Sequence, residues 1–419
     1  MNTSQTPAPQ TFPMPNEAEG ARIAALDVVR GIAVLGILAA NIVAFGQGMT
    51  AYGWPGGFFA PPGPFADWLW GAQLVLVDGK FRGLFTLLFG AGMVLFFRRA
   101  QAKGAGHGLL ARRLGWLGLF GFAHWALLWR GDILLSYAIG GLAVLAFVGW
   151  EWTRQLTLGL IGYTVGTIAV TAAAAAPMVV AALPRTAEAR AGLAQAKADE
   201  IADGKVEAAL SMAGDYGGMI RHTLGEHLAL LPGDTLPVLF ETVPLMLIGM
   251  ALLGAGAFDG RLAPRRQAAR GWTLWLLGMA ATVPIAAWAM ARGIGYWESF
   301  AAIFGWAMVP NLPSALGLLL LLSLWGQHAR GALARRLAAV GQCAFTNYIG
   351  TSALALAVFS GWGLGLFGRL GRLELYGVML GFWLAMLAWP AWWLARYRYG
   401  PLEWLWRCLT YWRVVSPRR

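Results

Sequence analysis

Ten stretches of this chain are apolar over the length that a lipid bilayer demands, at residues 23–45, 79–97, 114–129, 133–149, 156–183, 236–257, 271–291, 300–325, 337–359 and 375–396. A helix rising 1.5 Å per residue needs about 20 such residues to cross roughly 30 Å of hydrocarbon. An open sheet cannot leave its backbone unpaired there, so the pattern predicts an all-α, polytopic membrane protein with about ten transmembrane helices. The charges test the count. Arg98, Arg99, Lys103, Arg112 and Arg113 follow the second stretch, and Arg154 follows the fourth. Arg261, Arg265, Arg266 and Arg270 follow the sixth, Arg330, Arg335 and Arg336 the eighth, and six arginines run from Arg396 to the end. Every second connection is thus basic, which predicts that both termini are cytoplasmic.

Composition agrees with that class. Hydrophobic residues make up 58% of the chain and charged ones 12%, with 22 Trp and 56 Gly. Two cysteines, Cys343 and Cys408, cannot build a disulfide framework. A net charge of +12 would point a soluble protein toward nucleic acid. Here the arginines sit between apolar spans, so the lipid bilayer is the expected partner and nucleic acid is not. The reading divides the chain into a disordered N-terminal tail (1–21), a five-helix membrane bundle (22–183), an extracytoplasmic helical loop (184–235), a second five-helix membrane domain (236–396) and an interfacial C-terminal helix (397–419). The tail lacks a basic start and the run after it is too long for a cleaved signal, so the first span is expected to be retained.

Charge inside the spans is where chemistry is sought, because a lone charge at the centre of a span costs roughly 2.5–3.5 kcal/mol on insertion scales. Asp27 and Arg30 share a face of the first span at i, i+3 and can neutralise each other. Asn41 lies about 21 Å further along, near the outer side. Asp78, Lys80 and Arg82 enter the second span from that side, where the inside-positive rule gives no reason for cations. His124 lies about a turn and a half from the outer end of the third span, Arg130 and Asp132 sit at that end, and Glu241 lies a turn and a half into the sixth from outside. Depth alone places Asn41, Asp78, Lys80, Arg82, His124, Arg130 and Asp132 in the outer half, as one shared site or as a hydrogen-bonded plug. Thr346, Asn347 and Tyr348 must glue helices or line a cavity. His222, Glu226 and His227 resemble a fragment of a zinc site but match no standard spacing. They read as a solvated amphipathic helix, and no metal and no bound cofactor are expected.

Five stretches carry a resemblance: RIAALDVVRGIAVLGILAANI, DGKFRGLFTLLFGAG, HWALLWRGDILLSYA, TNYIGTS and GPLEWLWRCLTY. In this order they resemble the YeiB family of bacterial inner-membrane proteins, and the C-terminal half looks like that family's domain of unknown function (DUF418). The resemblance implies a multi-pass protein of the inner membrane. The pattern Arg22…Asp27…Arg30 is also similar to the opening of transmembrane acyltransferases, both the heparan-α-glucosaminide N-acetyltransferase type and the O-acyltransferases of surface polysaccharides. That similarity implies transfer of an acyl group from cytoplasmic acyl-CoA, as co-substrate, to an extracytoplasmic lipid or glycan acceptor. The polysaccharide enzymes carry a His where this chain has Asn41, so the base must come from elsewhere, and His124 is the one His inside a span. In this reading His124 is the general base, Asp132 or Asp78 orients it, and Asn41 or Lys80 holds the oxyanion. Asp27, Arg30, Asp78, Lys80 and Arg82 would bind substrate, and Arg30, Arg112 and Arg113 suit the phosphates of acyl-CoA. A transporter or permease of a small polar or anionic solute fits the same polar mid-membrane groups, and a scaffold for envelope proteins is a third reading. Oligomeric state is not legible.

Overall fold

The computed structural model describes residues 24–61, 63–182 and 187–418. The tail at 1–21, Arg22 of the first-span pattern and the start of the loop at 184 lie outside them. The described chain is α-helical, with helices α1 (Ala24–Gln47), α2 (Ala66–Leu76), α3 (Lys80–Gln101), α4 (His107–Leu127) and α5 (Leu134–Ala143). There follow α6 (Trp152–Ala182), α7 (Ala187–Ala213), α8 (Tyr216–His222), α9 (Leu231–Gly254) and α10 (Pro264–Ala291). The last are α11 (Met308–His328), α12 (Ala332–Gln342), α13 (Ala344–Phe359), α14 (Arg372–Leu394) and α15 (Pro401–Tyr411). Among the described residues, seven helical spans are long and apolar enough to cross a membrane: Ala25–Gln47, Ala66–Gln101, Trp152–Val180, Leu231–Gly254, Pro264–Ala291, Met308–His328 and Arg372–Leu394.

The expected spans 114–129, 133–149 and 337–359 are not among these seven, and 300–325 starts differently. The stretch 133–149 is helical only to Ala143, about 15 Å, and then turns through a 3-10 segment at Leu145–Phe147. The turn survives because Gln155, on the next helix, donates its side-chain amide to the Phe147 carbonyl at 2.8 Å. The stretch 337–359 is two helices, α12 and α13, broken at Cys343. Both new ends are satisfied. Asn347 donates to the Val340 carbonyl at 3.2 Å, and the Glu403 carboxylate accepts from the backbone of Phe345 at 2.8 Å and Thr346 at 3.1 Å. Burial raises the Glu403 pKa, and the hydrogen bonds from Thr346 and Phe345 oppose that rise. The stretch 300–325 begins with a π-helical turn at Ala301–Trp306 before α11.

α1 is the hub. It packs against α3, α11, α12, α13 and α14, and its buried residues run from Leu26 to Phe45 in one core. Two glycines bring α1 and α12 to backbone contact: a Cβ on Gly31 would lie 2.0 Å from the Leu337 carbonyl oxygen, and one on Gly341 would lie 1.8 Å from that of Asp27. Small residues of this kind let helices approach where lipid offers no hydrophobic drive. Asp27 and Arg30 pair at 3.0 Å on the same helix. At the basic end, α15 lies against α4, with Trp406 donating to the Arg113 carbonyl at 2.8 Å. The Arg113 guanidinium stacks 3.5 Å from the Trp406 ring and that of Arg112 4.1 Å from Trp412. At the other end, α7 and α8 cover the bundle.

Candidate active site

His124 stands in the last turn of α4. Its carbonyl accepts from Leu128 at 2.8 Å and Trp129 at 2.9 Å, closing that helix, and the chain turns back through Asp132 into α5. The two helices touch at Gly121, where a Cβ would sit 2.4 Å from the Leu135 nitrogen. Asp132 caps α5 through Oδ2, which accepts from Leu135 N–H at 2.7 Å. Its other oxygen, Oδ1, lies 2.9 Å from His124 Nδ1. On the far side of the ring, His124 Nε2 lies 2.9 Å from Ser352 Oγ on α13. The His124 and Asp132 side chains are 0% and 1% exposed. A carboxylate can only accept, so in the neutral imidazole Nδ1 is the nitrogen that carries the proton and Nε2 the one that offers its lone pair to the Ser352 hydroxyl. The Tyr348 ring flanks the imidazole at 5.1 Å, and its hydroxyl accepts from Ile133 N–H at 3.1 Å. Carboxylate, imidazole and hydroxyl in series are the arrangement that activates a serine.

Ser352 opens onto a cleft of about 80 Å³ between the bundle and its outer cover. The floor comes from Phe45, Trp125–Arg130 and Phe359, and the cover from Ser211, Tyr216 and Ile220. Tyr216 ties cover to floor by donating its hydroxyl to the Leu127 carbonyl at 2.7 Å. His124 and Asp132 do not line this cleft; they stand behind Ser352. On the opposite face of α13 a second cleft of about 270 Å³ runs between Thr346, Gly350, Thr351 and the α14 residues Phe382, Met386 and Trp389. Thr346 and Asn347 both line it and bind neighbours, Glu403 at 2.6 Å and Trp389 at 2.8 Å.

The residues expected at one shared site divide among separate networks. His124 and Asp132 are joined. Arg82 turns to Glu241 on α9, with Thr86 and Tyr137 hydrogen-bonded alongside at 2.7 Å. Lys80, fully buried, gives its ammonium to the Leu74 carbonyl at 2.7 Å and is not directed at Ser352. Asp78 accepts from Gln73 at 3.1 Å, and Gln73 in turn accepts from Arg372 at 3.0 Å and Tyr376 at 2.6 Å. Asn41 is half-buried on α1 and has no hydrogen bond to His124 or Ser352 among the described residues. Arg130 leaves the turn for the cover, where it meets Asp203 at 3.2 Å, Glu207 at 2.6 Å and His227. Burial acts to raise the Asp203 pKa, but hydrogen bonds from His227 and His222 and the charge of Arg130 outweigh it and bring it down to about 2. The segment read as a solvated amphipathic helix is therefore built in: His227 is buried and held by Asp203, while Glu226 faces out.

Sequence reasoning missed Ser352, Gln73 and Arg372. Ser352 sits four residues after Tyr348 in the polar TNYIGTS stretch, on the same helix face, and that spacing was the available signal. Arg372 lies in a connection that should be nearly neutral, and it is 1% exposed.

Residues 256–413 match the family model described as a protein of unknown function (DUF418). The chain is 30% identical to the uncharacterized protein YeiB of Escherichia coli (strain K12) over 94% of its own length and 97% of that protein's. It is 27% identical to the uncharacterized protein YxaH of Bacillus subtilis (strain 168) over 95% and 96%. No solved structure matches.

Proposed function

Because the chain belongs to the YeiB family of multi-pass membrane proteins, we propose that it is a membrane acyltransferase in which Ser352 carries the acyl group, His124 moves the proton and Asp132 holds the imidazole. One observation supports this above the rest: of the three groups in the hydrogen-bonded series, Ser352 alone lines the cleft. His124 therefore reaches a substrate through the serine. Ser352 Oγ attacks the thioester carbonyl of an acyl-CoA, and His124 Nε2 takes the hydroxyl proton. The C–S bond breaks, and the imidazolium returns that proton to the departing CoA sulfur. A hydroxyl of a lipid or glycan acceptor then attacks the acyl-serine ester, giving its proton to Nε2, which passes it back to Ser352. Positioned acid–base groups of this kind contribute about 10²–10⁴-fold each.

The same reading places ten passes across an inner membrane with both termini in the cytoplasm. α4 with α5, and α12 with α13, supply the passes beyond the seven long spans, and the alternation of arginine-rich connections supports the orientation. Arg30, Arg112 and Arg113 then face the side from which acyl-CoA arrives, and since Arg113 lies about 17 Å along α4 from His124, the thioester must reach Ser352 at the end of the extended pantetheine arm.

Purified protein in lipid nanodiscs, incubated with acetyl-CoA, should release free CoA thiol and carry an acetyl group on the peptide containing Ser352. Release that is equally fast in Ser352→Ala would refute the assignment of the serine. Absence of both release and adduct across short- and long-chain acyl-CoA would refute the acyl-CoA reading.

A further inference from the structure

The densest group of metal-ligating atoms among the described residues lies in the cover, apart from the Ser352–His124–Asp132 series. His222 ends α8, and a π-helical turn at Thr223–His227 follows. That turn closes hydrogen bonds at i, i+5, so His227 comes round beside His222, their rings 5.2 Å apart. Both Nε2 atoms aim at one atom, Asp203 Oδ1 on α7, at 2.8 and 3.1 Å. Glu207 stands one turn along the same helix. One donor atom from each of the four lies within 4.8 Å of the others.

We propose that Asp203, Glu207, His222 and His227 bind a divalent transition-metal ion of the zinc class. Two imidazoles and two carboxylates make an N₂O₂ set, which suits Zn²⁺ at four-coordinate geometry, and four protein ligands make the site a structural one. Two carboxylates face the single guanidinium of Arg130.

Arg130 is the outer partner of the site. Its Nη1 now donates to His227 Nδ1, so His227 carries its proton on Nε2 and gives it to Asp203. Coordination through Nε2 moves the ring proton to Nδ1, which then repels Nη1. The ion therefore turns Arg130 off His227 and leaves it on the outer carboxylate oxygens, as second partners of ligands commonly are. Arg130 and Glu207 both line the Ser352 cleft. An ion here pins α7 and α8 over that cleft and fixes the turn that carries Asp132.

The test uses full-length protein in detergent, stripped with EDTA and titrated with Co²⁺ as an optical probe. The expected result is one Co²⁺ per chain with the intense visible bands of a four-coordinate ion, displaced by Zn²⁺. His222→Ala, at a position 14% exposed, should fold normally and weaken binding about 100-fold. His227→Gln, at a buried position, is the second variant. Failure of the wild-type protein to bind Co²⁺ or Zn²⁺ would overturn the proposal, showing that Arg130 alone neutralises the carboxylates. Equal affinity in wild type and His222→Ala would overturn it as well. Neither outcome depends on acyl transfer.

Discussion

Asp132→Asn changes one proton and almost no volume. In the wild type Oδ2 caps α5 at Leu135 N–H, 2.7 Å away, and Oδ1 faces His124 Nδ1 at 2.9 Å. The asparagine oxygen keeps the cap, which forces its NH₂ toward the imidazole. An amide N–H donates, so His124 must offer the Nδ1 lone pair and carry its proton on Nε2. Nε2 then donates to Ser352 Oγ and cannot take its proton. The expected loss in serine reactivity is about 10³–10⁴-fold, or roughly 4–5.5 kcal/mol of barrier at 1.36 kcal/mol per decade. Folding loses less, about 1–3 kcal/mol, since the two charge-assisted hydrogen bonds of the carboxylate become neutral ones. A fluorophosphonate probe, which reacts with activated serines, reads the first quantity as a second-order labelling rate mapped to the modified peptide. Thermal melting in detergent reads the second. A labelling rate in Asp132→Asn within threefold of wild type, with the fold intact, would refute the account of how Ser352 is activated. So would labelling that persists in Ser352→Ala.

Glu241→Gln should strand Arg82, whose Nε already lacks a hydrogen-bond partner among the described residues. Breaking a fully buried pair costs about 3–5 kcal/mol, but the Arg82 side chain is 33% exposed, so about 1–3 kcal/mol is expected in chemical melts. Gly341→Ala pushes a Cβ into the Asp27 carbonyl and must part α1 from α12; a loss of about 1–3 kcal/mol is expected, and an unchanged melt would contradict the contact. Reporter fusions at Gly104, Ala213 and Ser416 should read cytoplasmic, extracytoplasmic and cytoplasmic, and an inside reading at Ala213 would break the topology.

The His124–Asp132 pair was legible because it is local. Eight residues and a tight turn on one antiparallel pair leave the two side chains little choice but to meet. Ser352 comes from 228 residues away, and no spacing rule reaches that far. Depth was legible for Asp78, Lys80 and Arg82, but depth is one coordinate. Which way each side chain turns around its helix depends on Leu74, Gln73 and Glu241, which belong to packing. The helix break at Cys343 was hidden for a similar reason: an apolar run reads as continuous, and the carboxylate that stabilises its interruption belongs to Glu403, in the tail.

The central place of α1 sets an order of events during synthesis. Among the described helices it leaves the ribosome first, yet the partners α12, α13 and α14 are encoded after residue 331. At 5–20 residues per second, α1 waits roughly 15–60 s in the bilayer before α12 exists. A charge that relied on a late partner would spend that interval exposed to lipid. Asp27 and Arg30, one turn apart at 3.0 Å, neutralise each other within the helix itself. The pair thus serves the nascent chain first, letting a charged helix enter the membrane long before the mature bundle can receive it.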